Sequence, residues 1–231
     1  MNRNVLSVTA LALLVAGPAA AQQFEGVVTM TVQGGRTGEV TQMFKGGRVR
    51  TEMKGPEGQG GVMLMEPGKT QMTMLMPSEK MYMVMDPAMM GGRAPRDTTP
   101  PKITKVGTSE TIAGRSCDNY RIETQQVHEV CAAKGMGYFA GMGRGPMMGG
   151  GGPGGGQGGG GMPAFASEKM MAEFKDGFFP LRVSRVEGEK KTVAMEVTKI
   201  EEKPLPSSLF EVPEGYTKMD MPMGMPGMGK P

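Results

Sequence analysis

Between Val62 and Asp86, methionine falls at every second position within each of three short runs. The runs are Val62–Met65, Met72–Met76 and Met81–Met85. Two is the side-chain period of a β-strand, so each run places its methionines on one face. Turn chemistry separates the runs. Pro67-Gly68 suits the central positions of a type II turn. Pro77-Ser78-Glu79-Lys80 suits a four-residue hairpin loop opened by proline. With these loops the expected cross-strand partners are Met63 with Met72, Met72 with Met85, Met74 with Met83, and Met76 with Met81. Met63, Met65, Met72, Met74, Met76, Met81, Met83 and Met85 then share one face of a three-stranded meander. A three-residue second loop would break the pattern, because a one-residue slip flips every side chain.

The segments on either side also read as strands. Phe24 to Gln33 alternates apolar and polar residues, with Val27 the one exception. Val40–Lys45 and Arg48–Lys54 flank a Gly46-Gly47 hairpin signal, with Val49, Thr51 and Met53 on the inner face of the latter strand. Ile103–Val106, Glu110–Ala113, Asn119–Glu123 and Val127–Ala133 read as further short strands, with Gly107 and Gly114 as breaks. Ala164 to Lys175 reads as a short helix presenting Met170, Met171 and Phe174 on one side, with Gly177 placed to end it. Phe178–Val186 and Lys191–Glu202 form a last hairpin around Gly188, with Val193, Met195 and Val197 inside. Leu209 and Phe210 are expected to pack before a Val212–Gly215 turn of type I. The expected fold is mostly β: an antiparallel curved sheet or half-barrel with a short covering helix.

Residues 1–21 have the layout of a cleaved secretory signal. Arg3 is the positive start, Val5–Val15 the apolar stretch and Ala19-Ala20-Ala21 the small-residue cleavage site. The apolar run is short for a membrane span, so none is expected in the mature chain. No cysteine lies near the cleavage site to carry a lipid anchor. The expectation is a periplasmic or secreted protein with one β-rich domain over 22–218. A disordered glycine-rich insertion is expected at about 141–161, and a disordered Met/Pro/Gly tail over 219–231. The formal net charge is +3 and the basic residues are scattered, which argues against a nucleic-acid partner. Cys117 and Cys131 are the only two cysteines, and in an exported chain they most simply pair.

Five segments carry a family resemblance: "KMYMVMDP", "TSETIAGRSCDNYRI", "EVCAAKGMGYF", "FFPLRV" and "PSSLFEVPEGYTKM". They resemble the bacterial exported family known as domain of unknown function 4412. Its layout is similar to that of the periplasmic lipoprotein carriers of the LolA and LolB type, half-barrels that hold acyl chains under a helical lid. The resemblance implies a fold and transfers no functional residue. The long glycine insertion beside the expected lid departs from that layout.

No catalytic constellation stands out, and no cofactor is expected. His128 is the only histidine, assigned to an outer strand position. No nucleophile elbow, phosphate-binding loop or zinc signature is present. The methionine face has three readings: core filler, an open apolar cleft for a lipid or acyl chain, or soft-metal binding. Methionine suits the first two because it is flexible and polarizable. Thioethers select Cu(I), and Met219, Met221, Met223 and Met225 in the tail form a further Met-x-Met series. The leading expectation is a non-enzymatic binding or carrier-like protein. Its cleft is formed by the eight meander methionines with Met170, Met171 and Phe174, and no metal is assigned there. The alternatives are a copper binder, with the tail as chelate, or a structural envelope protein. The oligomeric state is not specified by any sequence feature.

Overall fold

The computed structural model describes residues 24–33, 38–54, 60–69, 71–85, 101–124, 126–138, 174 and 177–219. The expected signal segment, glycine-rich insertion and 220–231 lie outside these residues, as does the 164–175 helix apart from Phe174.

Thirteen strands follow in chain order: β1 (Gly26–Val32), β2 (Gly38–Lys45), β3 (Arg48–Lys54), β4 (Gly60–Met65), β5 (Met72–Met76), β6 (Met81–Met85), β7 (Lys102–Ile112), β8 (Arg115–Glu123), β9 (Val127–Ala133), β10 (Gly137–Tyr138), β11 (Gly177–Glu187), β12 (Lys190–Glu202) and β13 (Thr217–Lys218). A short 3-10 helix spans Ser207–Phe210. No α-helix occurs among the described residues. Twelve strands lie on one open path, β13-β6-β5-β4-β3-β2-β1-β12-β11-β9-β8-β7, while β10 pairs with β11 off it. All pairings are antiparallel except β10 with β11 and β6 with β13.

The first six strands form a meander because each loop carries its own turn chemistry. Gly46 and Gly47 take φ of 55° and 78°, the left-handed pair that a two-residue hairpin loop requires. Gly68 takes φ 75° in a turn closed by Lys69 N–H on Glu66 C=O, as type II demands.

The sheet is strongly curved. Phe44 on β2 and Phe179 on β11 are three strand steps apart, about 14 Å in a flat sheet. Their ring centroids are nonetheless 5.6 Å apart. Arg115, opening β8, forms an ion pair with Glu202, closing β12, across three further steps. Register shifts at Thr29/Met30, Pro180/Arg182 and Val183/Ser184 supply bends, as bulges do. Inside the curve lies the main core, with Val28, Met30, Ile122, Val130, Leu181 and Met195 sealed from solvent.

Two expectations need correction. Ile103–Val106 and Glu110–Ala113 are one continuous strand, β7, whose register shifts between Lys105 and Ser109. Gly107, at φ 47°, lets the strand bulge there and does not end it. Gly177 opens β11 at φ 93°, and a Cβ there would meet the Gly137 carbonyl oxygen at 2.7 Å. The helix it is expected to end lies outside the described residues; at Gly177 itself the missing side chain allows the close backbone approach of two strands. The turn after Phe210 is closed by Tyr216 N–H on Pro213 C=O, with Gly215 at φ 79° in its third position. That left-handed position belongs to a type II turn; Val212–Gly215 would have put glycine fourth in a type I turn.

Candidate binding face

The three methionine strands are placed by β3. Thr51 pairs with Met63 and Val49 with Met65. Met63 pairs with Met74 and Met65 with Met72. Met74 then pairs with Met83, Met72 with Met85, and Met76 with Met81. The second hairpin has the expected register. The first does not, because Met63 lies opposite Met74 and not Met72. Residues beyond the Pro67-Gly68 turn join the loop, so pairing resumes at Met65–Met72. The difference is two residues, an even number, so all eight methionines keep a common face.

Extending the pairings through β2 and β1 gives continuous rows across the inner surface. One row reads Val28, Gln42, Thr51, Met63, Met74, Met83. Its neighbour reads Gly26, Phe44, Val49, Met65, Met72, Met85. Neither row contains a charged residue. Burial falls along the first: Val28 0 %, Gln42 2 %, Thr51 7 %, then half-buried methionines. Met85 is buried at 4 %, and the other seven methionines are half-buried. Met65 packs against the edge of the main core. The methionine face therefore continues the inner surface outward from the sealed core.

Gln42 was not among the residues singled out from sequence, although its place between Val40 and Phe44 at inward-facing spacing was a signal. Its Nε2 donates to Thr51 Oγ1 at 3.2 Å. Gln42 Oε1 is buried with no hydrogen-bond partner.

Of the expected lid residues, Met170 and Met171 lie outside the described residues. Phe174 is buried at 7 %. Its ring packs edge-on against Tyr120 at 4.9 Å and against Phe178 at 4.6 Å, over β8 and β11.

The opposite face of the meander is also apolar, with Val62, Leu64 and Leu75 buried. The C-terminal segment covers it. Glu25 anchors that segment by accepting hydrogen bonds from the Leu205 N–H and the Lys45 ammonium, both at 2.7 Å. These contacts, the Lys45 hydrogen bond foremost, hold the Glu25 carboxyl below its ordinary value. Leu205 and Phe210 pack on Val27, and Arg48 lies over the Phe210 ring at 5.2 Å. Tyr216 packs on the Val62–Leu64–Leu75 cluster, and Thr217 and Met219 donate to Lys80 and Tyr82 carbonyls along β6. Val27, the exception to the alternation of its strand, is apolar because this strap covers it.

Away from the face, Cys117 and Cys131 form the expected disulfide, with Cα atoms 5.3 Å apart. Arg182 bridges Glu110 and Glu196, and Asn119 donates to Glu110. The Asn119 hydrogen bond and then Arg182 hold the Glu110 carboxyl low. His128 is 2 % exposed, which corrects its assignment to an outer position: it shares the parity of Val130 and Ala132, not of Val127 and Glu129. Among the described residues no group of three or more His, Cys, Asp or Glu side chains is placed to hold a metal ion, and no helix is long and apolar enough to cross a membrane.

A crystal structure of an uncharacterized conserved protein from Thermus thermophilus aligns with a TM-score of 0.49 and 9% identity, over 86% of this chain and 91% of that one. A structure of PNGF-II aligns with a TM-score of 0.43 and 11% identity, over 85% of this chain and 31% of that chain, so this chain spans about a third of it. No curated protein matches in sequence. The family model for a domain of unknown function, DUF4412, matches residues 24–216, from the start of the first strand segment to Tyr216 in the strap. The chain belongs to the DUF4412 family.

Proposed function

We propose that this is an exported, non-enzymatic binding or carrier-like protein of the cell envelope, whose methionine face seats an apolar, lipid-like ligand. On this reading the curved sheet serves as a half-barrel of the LolA and LolB type. The observation that carries it is the pair of uncharged rows running from sealed core into half-buried methionines. Methionine surfaces adapt to chains of varied shape, and covering apolar surface stabilises a complex by about 25 cal/mol per Å². A second reading, soft-metal binding, draws support from the direct adjacency of Met63, Met74 and Met83, since thioethers prefer Cu(I).

The test replaces Met74 and Met83 together with glutamate and follows uptake of a fluorescent apolar probe. The parent is expected to take up the probe. The double variant is expected to stay folded and lose at least about tenfold in affinity, because two carboxylates must be desolvated. A parent that takes up no probe, together with a double variant that unfolds, would return these residues to the role of core filler.

A further inference from the structure

The buried amide of Gln42 says what kind of apolar ligand the methionine face takes. A buried hydrogen-bonding group left unpaired forfeits its hydration with nothing in return, so proteins rarely leave one. Gln42 is 2 % exposed, and Thr51 engages only one end of its amide. The residue stands in the same cross-strand row as Met63, Met74 and Met83, with buried Thr51 between it and the first half-buried methionine, Met63. On ordinary strand spacing, the path from Gln42 to Met83 is about 19 Å, enough for a long alkyl chain to lie along the row.

We propose that the ligand of this face is an apolar chain carrying a hydroxyl, which the free end of the Gln42 amide recognises while the chain lies over Met63, Met74 and Met83. A hydroxyl donates the proton that the free Oε1 lacks. A fatty-acid carboxylate does not fit: the two inner rows offer no cation to it, and the free Oε1 would repel it. This inference rests on the apolar-ligand reading.

The test measures displacement of a fluorescent apolar probe from the full-length protein by 1-hexadecanol and by its methyl ether. The two share chain length and differ in the hydroxyl proton. The parent is expected to bind the alcohol about tenfold more tightly than the ether, as one hydrogen bond to a buried partner allows. Gln42→Met, close in volume, should lower affinity for the alcohol to that for the ether and leave the ether unchanged. Thr51→Val leaves the amide in place and should keep the preference; with the parent, it carries the test if Gln42→Met does not fold. Equal binding of the two compounds by the parent overturns the hydroxyl proposal and leaves the apolar seat standing. So does a preference that survives in folded Gln42→Met. Failure of both compounds and of the probe to bind the parent overturns the seat itself, and the hydroxyl proposal with it.

Discussion

At the scale of single residues, the inner surface mixes sealed apolar groups with a few polar ones that have specific consequences. His128 is the clearest. Burial first, and then the Arg185 guanidinium paired across the ladder, push its imidazole below the ordinary value, despite an opposing backbone hydrogen bond at Gln126. The folded protein therefore keeps His128 neutral where the unfolded chain, with a pKa near 6.5, has begun to bind a proton. The unfolded state binds more protons, so stability falls as pH drops below about 6.5. The depressed carboxylates of Glu110 and Asp118 act in a lower window: their contribution begins to fade as pH drops through the ordinary values, 4.5 and 3.8, and is lost below their lowered folded values. Urea unfolding between pH 7 and 5 should show declining stability in the parent and a nearly flat profile in His128→Leu. A parent profile as flat as that of the variant would show that His128 does not resist protonation.

Elements were legible from sequence where the signal is local. Arg48–Lys54 and Val127–Ala133 have the bounds their alternation implies, and the Gly46-Gly47 turn follows from residue type alone. The merger of Ile103–Val106 with Glu110–Ala113 was not legible, because a glycine that permits a bulge looks the same in sequence as one that ends a strand. The packing of Leu209 and Phe210 was expected, but what they pack on was not legible, for a different reason. Leu205, Leu209 and Phe210 carry no periodicity, and the cover they supply lies about 180 residues from Val27 in sequence. The clue was on the covered side: Val27, Val62, Leu64 and Leu75 are apolar at outward positions. The strap also caps β6, an edge that would otherwise offer free backbone groups to another chain. Phe210→Ala should destabilise the protein by about 3 kcal/mol in denaturant titration, as for other buried phenylalanines. The same variant should speed hydrogen exchange at the Thr217 and Met219 amides. Unchanged stability and exchange would mean that the strap is not held at Phe210.

At the scale of the whole molecule, the order of the sheet depends on contacts between distant parts of the chain. The pairing of β1 with β12 joins the two ends of the domain. It turns a six-strand meander and a second group of strands into one curved surface. No local pattern specifies that pairing, which is why a β-rich class was readable and the strand order was not. The methionine face was readable because its period is local. Its position as the outward continuation of the core required the structure. On the proposed reading this continuity lets one molecule serve two ends: the curved part seals itself, and the methionine wing seats a ligand. Native mass spectrometry of the protein gently purified from its native host tests that division most directly. If the methionine face is a ligand seat, the parent should carry an added lipid mass that is absent from folded Met74→Glu/Met83→Glu protein. Parent and variant both at their bare polypeptide masses, or a lipid mass retained equally by both, would contradict it.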